Sequence, residues 1–201
     1  MTPADTIPHW SILGVLPPIR PDSDAASPDR SPYCASPLDL CHRFGVSPER
    51  RRILSGLWEL RADLRAVGLD DGFQWVDGSF VEDVETTHGR PPADIDVVTF
   101  APLGDGDRQR RLVAGNPDLF YPQRAKRRYL VDHYVVATDV AFDAVQAHRV
   151  SYWYSMWSHR REDQRWKGFL ELALSEEDGA ARAWHAQFDE PGVSGEGNHE
   201  R

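Results

Sequence analysis

An α+β fold, a mixed β-sheet flanked by helices, is predicted by three observations. A long amphipathic helix comes first. Two short runs rich in aromatic and β-branched residues, Phe73–Asp77 and Ile95–Phe100, follow it. A third such run, Tyr129–Ala137, comes after a further helical stretch, so strands and helices alternate irregularly rather than in a strict βαβ repeat.

The 201 residues suffice for one good core, and 40% apolar residues with seven Trp, eight Phe and six Tyr mark a globular chain. No apolar run reaches bilayer length, which argues against a membrane protein. MTPADTIPHW lacks the basic and apolar regions of a signal peptide, so a cytoplasmic location is expected. Cys34 and Cys41 have neither zinc-knuckle nor redox spacing and are expected as reduced thiols. A net charge of -9 argues against tight, non-specific nucleic-acid binding. Seven acids against Arg182 and Arg201 put -5 of that charge in the stretch from Ser175 onward, leaving the body nearer neutral.

Residues 1–46 are rich in Pro, Ser and Asp and read as an irregular segment, with only Trp10–Leu16 expected to dock. The domain proper is expected over 47–174. Ser47 caps its first helix, Pro48 takes the first helical position, and Ile53, Leu54, Leu57, Leu60 and Leu64 form one apolar stripe before Gly68. The strand Phe73–Asp77 runs straight into Gly78-Ser79, and the polar connection 82–93 reads as a loop. From 107 to 124 the pattern is helical, interrupted at Asn116-Pro117. Thr138-Asp139 can cap a helix to Arg149. Tyr152–Trp157 reads equally as helix or loop, and 168–174 as strand or helix. An acidic tail, 175–201, is expected to be disordered beyond Gly192.

The chemistry lies in a combination. A strand ends in Gly78-Ser79; after fourteen intervening residues Asp94-Ile95-Asp96 opens a second strand; Asp132 sits within a third, expected beside the second. Alternation along a strand points Asp94 and Asp96 to one face and Ile95 into the core. Paired carboxylates can grip one divalent cation and bridge to another roughly 3.5–4 Å away. Gly78 admits close backbone approach, and Ser79 offers a hydroxyl and an N–H to the same group. Asp132 could bind a second metal and take a proton from an acceptor hydroxyl. By the same alternation His133 points away from the site.

Other readings compete at each position. A lone Gly-Ser carries little information, and the Asp94–Asp96 motif alone also fits two solvated acids at a strand entry. Asp132 also fits a strand-edge acid paired with an Arg. Lys126, Arg127 and Arg128 could hold a triphosphate or form a solvated basic loop. Arg160, Arg161, Arg165 and Lys167 form a second basic run, in which Lys167, followed by Gly168, suits a phosphate contact or a surface charge. Trp153, Trp157 and Trp166 read as core or interface aromatics before base-stacking ones. His88 is a candidate by position only.

Gly78-Ser79 followed by Asp94-x-Asp96 resembles the signature of the DNA polymerase β-type nucleotidyltransferase superfamily, particularly its minimal members. WVDGSFVED…DIDVVTF, YLVDHYVV and YW…RREDQRWKGFLEL are similar to a family of small, uncharacterised nucleotidyltransferase-like bacterial proteins. The resemblance covers about residues 70–174 and weakly 13–18. It implies a nucleotidyltransferase palm and transfer of an NMP from an NTP to a hydroxyl on a protein, RNA or small molecule. It further implies Mg²⁺ or Mn²⁺ at Asp94, Asp96 and Asp132, and nucleotide contacts from Gly78, Ser79, Lys126, Arg128 and Lys167. The alternative is a palm without turnover that binds or regulates a partner, as in toxin–antitoxin or phage-defence systems. His88-Gly-Arg-Pro-Pro departs from the family pattern by lengthening the connection after Gly-Ser, where superfamily members often place a helix directly.

Overall fold

The computed structural model describes residues 6–188, and it is α+β: one five-stranded mixed sheet flanked, among the described residues, by eight helices. The strands are β1 (Tyr33–Cys34), β2 (Phe73–Asp77), β3 (Ile95–Ala101), β4 (Val131–Ala137) and β5 (Leu170–Ala173). The helices are α1 (Pro37–Phe44), α2 (Pro48–Ala66), α3 (Val84–His88), α4 (Gly106–Gly115), α5 (Pro117–Phe120), α6 (Pro122–Tyr129), α7 (Ala144–Trp157) and α8 (Gly179–Ala186). Sheet order is β1-β5-β2-β3-β4; β2 runs antiparallel to both neighbours, while β3 and β4 are parallel. None of the described helices is long and apolar enough to cross a membrane.

Alternation gives the sheet two unlike faces. Val76, Ile95, Val97, Val131, Leu170 and Leu172 point into a large core shared with α1, α2 and α6. Trp75, Val98, Phe100 and Val136 point the other way, to a smaller, aromatic cluster with Phe169 and with Trp157 and Trp153 of α7.

α2 begins as its sequence dictates, with the Ser47 hydroxyl accepting from Arg50 N–H. Its Gly56 lets α6 pack on it, because a Cβ there would lie 1.7 Å from Tyr129 O. That contact places Lys126, on α6, at the start of β3.

Several expectations are corrected. The N-terminal segment is not irregular throughout: Ser36 and Asp39 form a capping box that starts α1, and Tyr33–Cys34 pairs with β5 as a parallel edge. Trp10–Leu16 docks as expected, with Trp10 Nε1 donating to Val81 O at 2.7 Å. The connection 82–93 contains α3, capped by Asp83. The helical stretch before β4 is broken at Tyr121 as well as at Asn116, and Tyr129 ends α6 instead of opening β4. Asp139 caps no helix; its carboxylate accepts from Leu103 and Gly104 N–H, and Asp143 caps α7, which takes in Tyr152–Trp157. Asp178 and α8 are packed into the body, so the tail is structured at least to 186, and the expectation beyond Gly192 lies outside the described residues.

Candidate functional site

Strand register builds the site. Asp77 pairs with Asp96 across β2 and β3, and Asp96 with Asp132 across β3 and β4. Paired residues share a face, so three carboxylates form a transverse row on adjacent strands, with strands about 4.8 Å apart. Asp94, two residues upstream of Asp96, adds a fourth on that face. The row lies on the aromatic face and opens into a cleft of about 830 Å³, lined also by Gly78, Ser79, Glu82, Tyr134, Trp153, Arg160 and Lys167.

Like charges set side by side repel, and here burial worsens it. Asp96 is pushed up to about 6, first by desolvation and then by Asp94 and Asp132. Asp77 is also raised, by its complete burial first and by Asp96, with Lys167 opposing. Gly78 permits the crowding: its φ is 85°, and a Cβ there would sit 2.7 Å from Asp96 Oδ2.

Two lysines meet this charge from opposite sides. Lys167, 4% exposed, sets its ammonium 2.6 Å from Glu82 Oε1 and 3.0 Å from Asp77 Oδ1. Burial opposes its charge, yet the two carboxylates outweigh burial and raise its pKa. Lys126, half exposed, ion-pairs with Asp94 Oδ2, and its pKa is raised chiefly by that contact. Asp94 Oδ2 and Asp77 Oδ1 are buried and meet these ammonium groups as ion pairs without a well-formed hydrogen bond.

The connection after Gly78-Ser79 is braced from below. Ser79–Val81 forms a single 3₁₀ turn, and the fully buried Arg50 of α2 donates to Phe80 O and Glu82 O, each at 2.6 Å, and to both Glu85 oxygens at 2.7 and 2.8 Å. At the mouth, His88 Nε2 contacts Glu162 Oε2 at 2.8 Å, and Arg160 pairs with Asp163.

Of the residues expected in the site, Gly78, Ser79, Asp94, Asp96, Asp132 and Lys167 line this one cleft, and Lys126 reaches it through Asp94. Two expected roles change. Arg128 turns away, toward Asp63 and the Tyr129 ring, because successive residues on a short helix face different sides. Lys167 is no surface charge; its ammonium donates to Glu82 Oε1 and ion-pairs with Asp77 Oδ1, so it positions both carboxylates. His133 points away as expected, fully buried, with Nδ1 2.7 Å from Leu119 O and Nε2 2.8 Å from Thr99 Oγ1.

Sequence reading missed Asp77, Glu82, Arg50 and Tyr134. Asp77 stood in plain view beside Gly78, but its partners Asp96 and Lys167 are distant in sequence. Tyr134 carried one signal, its spacing of two from Asp132 on the same strand.

Chemically, the carboxylate row offers an oxygen-only donor set, the kind that suits hard divalent cations. Among the described residues, though, no three His, Cys, Asp or Glu side chains are gathered as a ready metal cage; the row is spread over three strands, with Lys126 on Asp94 and Lys167 on Asp77. Over residues 8–173 the chain matches a family of unknown function, DUF6932. No curated protein and no solved structure matches it.

Proposed function

The chain belongs to the DUF6932 family of unknown function, and from that premise we propose that the cleft is a metal-dependent nucleotidyltransferase site. It would move an NMP from an NTP to a hydroxyl on a protein, an RNA or a small molecule. One observation carries the reading: the row Asp77–Asp96–Asp132, with Asp94, opens beside the Gly78-Ser79 turn. A fold that crowds four carboxylates together, one buried and three partly exposed, leaves an electrostatic debt that cations and their phosphate partners would relieve.

The donors fit Mg²⁺ or Mn²⁺, being carboxylate oxygens with Asp94 Oδ2 lacking a hydrogen bond. Asp94, Asp96 and Asp132 would hold the metal, which when bound neutralises triphosphate charge and eases ionisation of the attacking hydroxyl. The protein's own tasks follow from position. Gly78 and Ser79 present backbone and hydroxyl to the phosphates, and Lys167 fixes Asp77 and Glu82 against repulsion. Asp132, outermost in the row, accepts the acceptor's proton as its oxygen bonds the α-phosphorus and the bond to pyrophosphate breaks.

The test incubates purified protein with Mg²⁺ or Mn²⁺, each α-labelled NTP and lysate as acceptor source, and follows label transfer and pyrophosphate. Asp94→Asn with Asp96→Asn is expected to lower both by at least ~1000-fold while the fold survives. Wild-type protein that neither binds an NTP nor releases pyrophosphate would refute the proposal.

A second reading has its own support: the Lys126 ammonium stands on Asp94, as a fixed cation would in a palm that binds a partner without turnover. That reading expects the double Asn variant to keep full cellular function.

A further inference from the structure

Above the carboxylate row the cleft has a wall of different chemistry. Tyr134 follows Asp132 by two residues on β4, so the two side chains share a face and a wall. Tyr134 is 37% exposed. Trp153 of α7 lies against it, ring centroids 4.9 Å apart and tilted by 52°. Behind Trp153 stands Trp157, 5.5 Å away, which is 4% exposed and rests in turn on Phe169. The wall therefore has a rigid backing, while its front remains open to the cleft.

The core does not need that front. Trp75, Phe100, Phe169 and Trp157 already close the aromatic cluster by edge-to-face contacts, and Tyr134 lies outside it. An open aromatic pair beside a strongly polar floor suits a ligand with a planar ring at one end and anionic groups at the other. Spacing agrees: two residues along a strand span about 6.6 Å, room for the ribose that separates a base from its first phosphate.

Resting on the nucleotidyltransferase reading, we propose that Tyr134 and Trp153 form a stacking wall for the nucleobase of the donor, so that the cleft grips the nucleotide by its ring as well as by its phosphates. Recognition by ring faces alone tolerates all four bases and favours the larger purines.

Calorimetry on the full chain with Mg²⁺ separates the parts, using ATP with a non-hydrolysable α,β bridge as one titrant and inorganic tripolyphosphate as the other. The nucleotide is expected to bind roughly 10-fold tighter. Tyr134→Ala should remove most of that advantage and leave tripolyphosphate binding unchanged, whereas Tyr134→Phe, which keeps the ring, should restore it. Trp153→Leu gives an independent check should Tyr134→Ala lose its melting transition. Equal affinity for the two titrants, or a Tyr134→Ala variant that keeps the nucleotide's advantage, overturns the stacking wall and leaves the phosphate reading standing. If neither titrant binds, both fall.

Discussion

Beneath the sheet, Gln74, Thr99 and His133 lie on β2, β3 and β4; above it, on the same three strands, lie Asp77, Asp96 and Asp132. The lower set is fully buried and the upper set partly so, yet only the lower one pairs donors with acceptors. Arg61 of α2 is held by Asp178 at 2.7 Å and donates to Gln74 Oε1; Gln74 Nε2 donates to Thr99 Oγ1, at 2.9 Å. Thr99 then donates to His133 Nε2, and His133 Nδ1–H donates to Leu119 O, which assigns the tautomer from the network. Each buried side-chain nitrogen and oxygen of this network has at least one hydrogen-bond partner. The upper set has acceptors facing acceptors, with Lys126 and Lys167 as partial relief. Polar burial alone therefore singles out no site; what sets the upper face apart is a row of acceptors without enough donors to match them.

The largest way to break this comparison is to open the matched side. Arg61→Met strands Gln74 Oε1 and leaves Asp178 with Arg65 alone. Urea denaturation should show a loss of about 3 kcal/mol, the scale for removing one partner of a buried ion pair. Asp96→Asn in EDTA should cost nothing near neutral pH, because it deletes a repelled charge. A loss below about 1 kcal/mol in Arg61→Met would mean that the lower network is no better matched than the upper row.

How much of this was legible depended on the range of the interaction. The faces of Asp94, Asp96, Asp132 and His133 follow from strand alternation, a local rule, and the sequence carried them. The α2 cap and stripe were legible for the same reason. The roles of Arg50 and Arg61 were not legible, since Phe80 O, Glu85, Gln74 and Asp178 reach them only through the fold. The capping box at Ser36 and Asp39 was a local signal, hidden by the Pro/Ser-rich composition around it. Asp139 carries the residue type of a cap, and the distant Leu103 and Gly104 amides claim its carboxylate instead.

A second prediction sharpens the contrast through pH, since the two faces titrate with opposite signs. Burial lowers His133 from 6.5 to about 4, so the unfolded chain holds its proton more tightly. Its contribution is present above pH 6.5 and lost as pH falls toward 4. Asp96 is raised from 3.8 to about 6, so its contribution is present below pH 3.8 and lost as pH rises through 6. Each amounts to at most about 3 kcal/mol. In metal-free buffer from about pH 4 to 7, His133→Gln should therefore be most destabilising relative to wild type at the upper end. Asp96→Asn should become steadily more favourable over the same range. Parallel curves for the two variants would erase the distinction between the faces.

The smallest effect concerns Lys126, the more exposed of the two lysines on the open face. It is anchored by its ion pair with Asp94, so its removal should change stability by no more than about 0.5 kcal/mol. Its ammonium nevertheless occupies a carboxylate oxygen that an incoming divalent ion would need. Lys126→Ala should therefore tighten Mn²⁺ binding by roughly 3–10-fold at low ionic strength, with the gain shrinking as salt screens the pair. Arg128→Ala is the control, because Arg128 reaches Asp63 on the far side of α6 and should leave Mn²⁺ affinity unchanged. If Lys126→Ala binds Mn²⁺ no better than Arg128→Ala, the lysine is no competitor for the site and the charge on the upper face is already balanced.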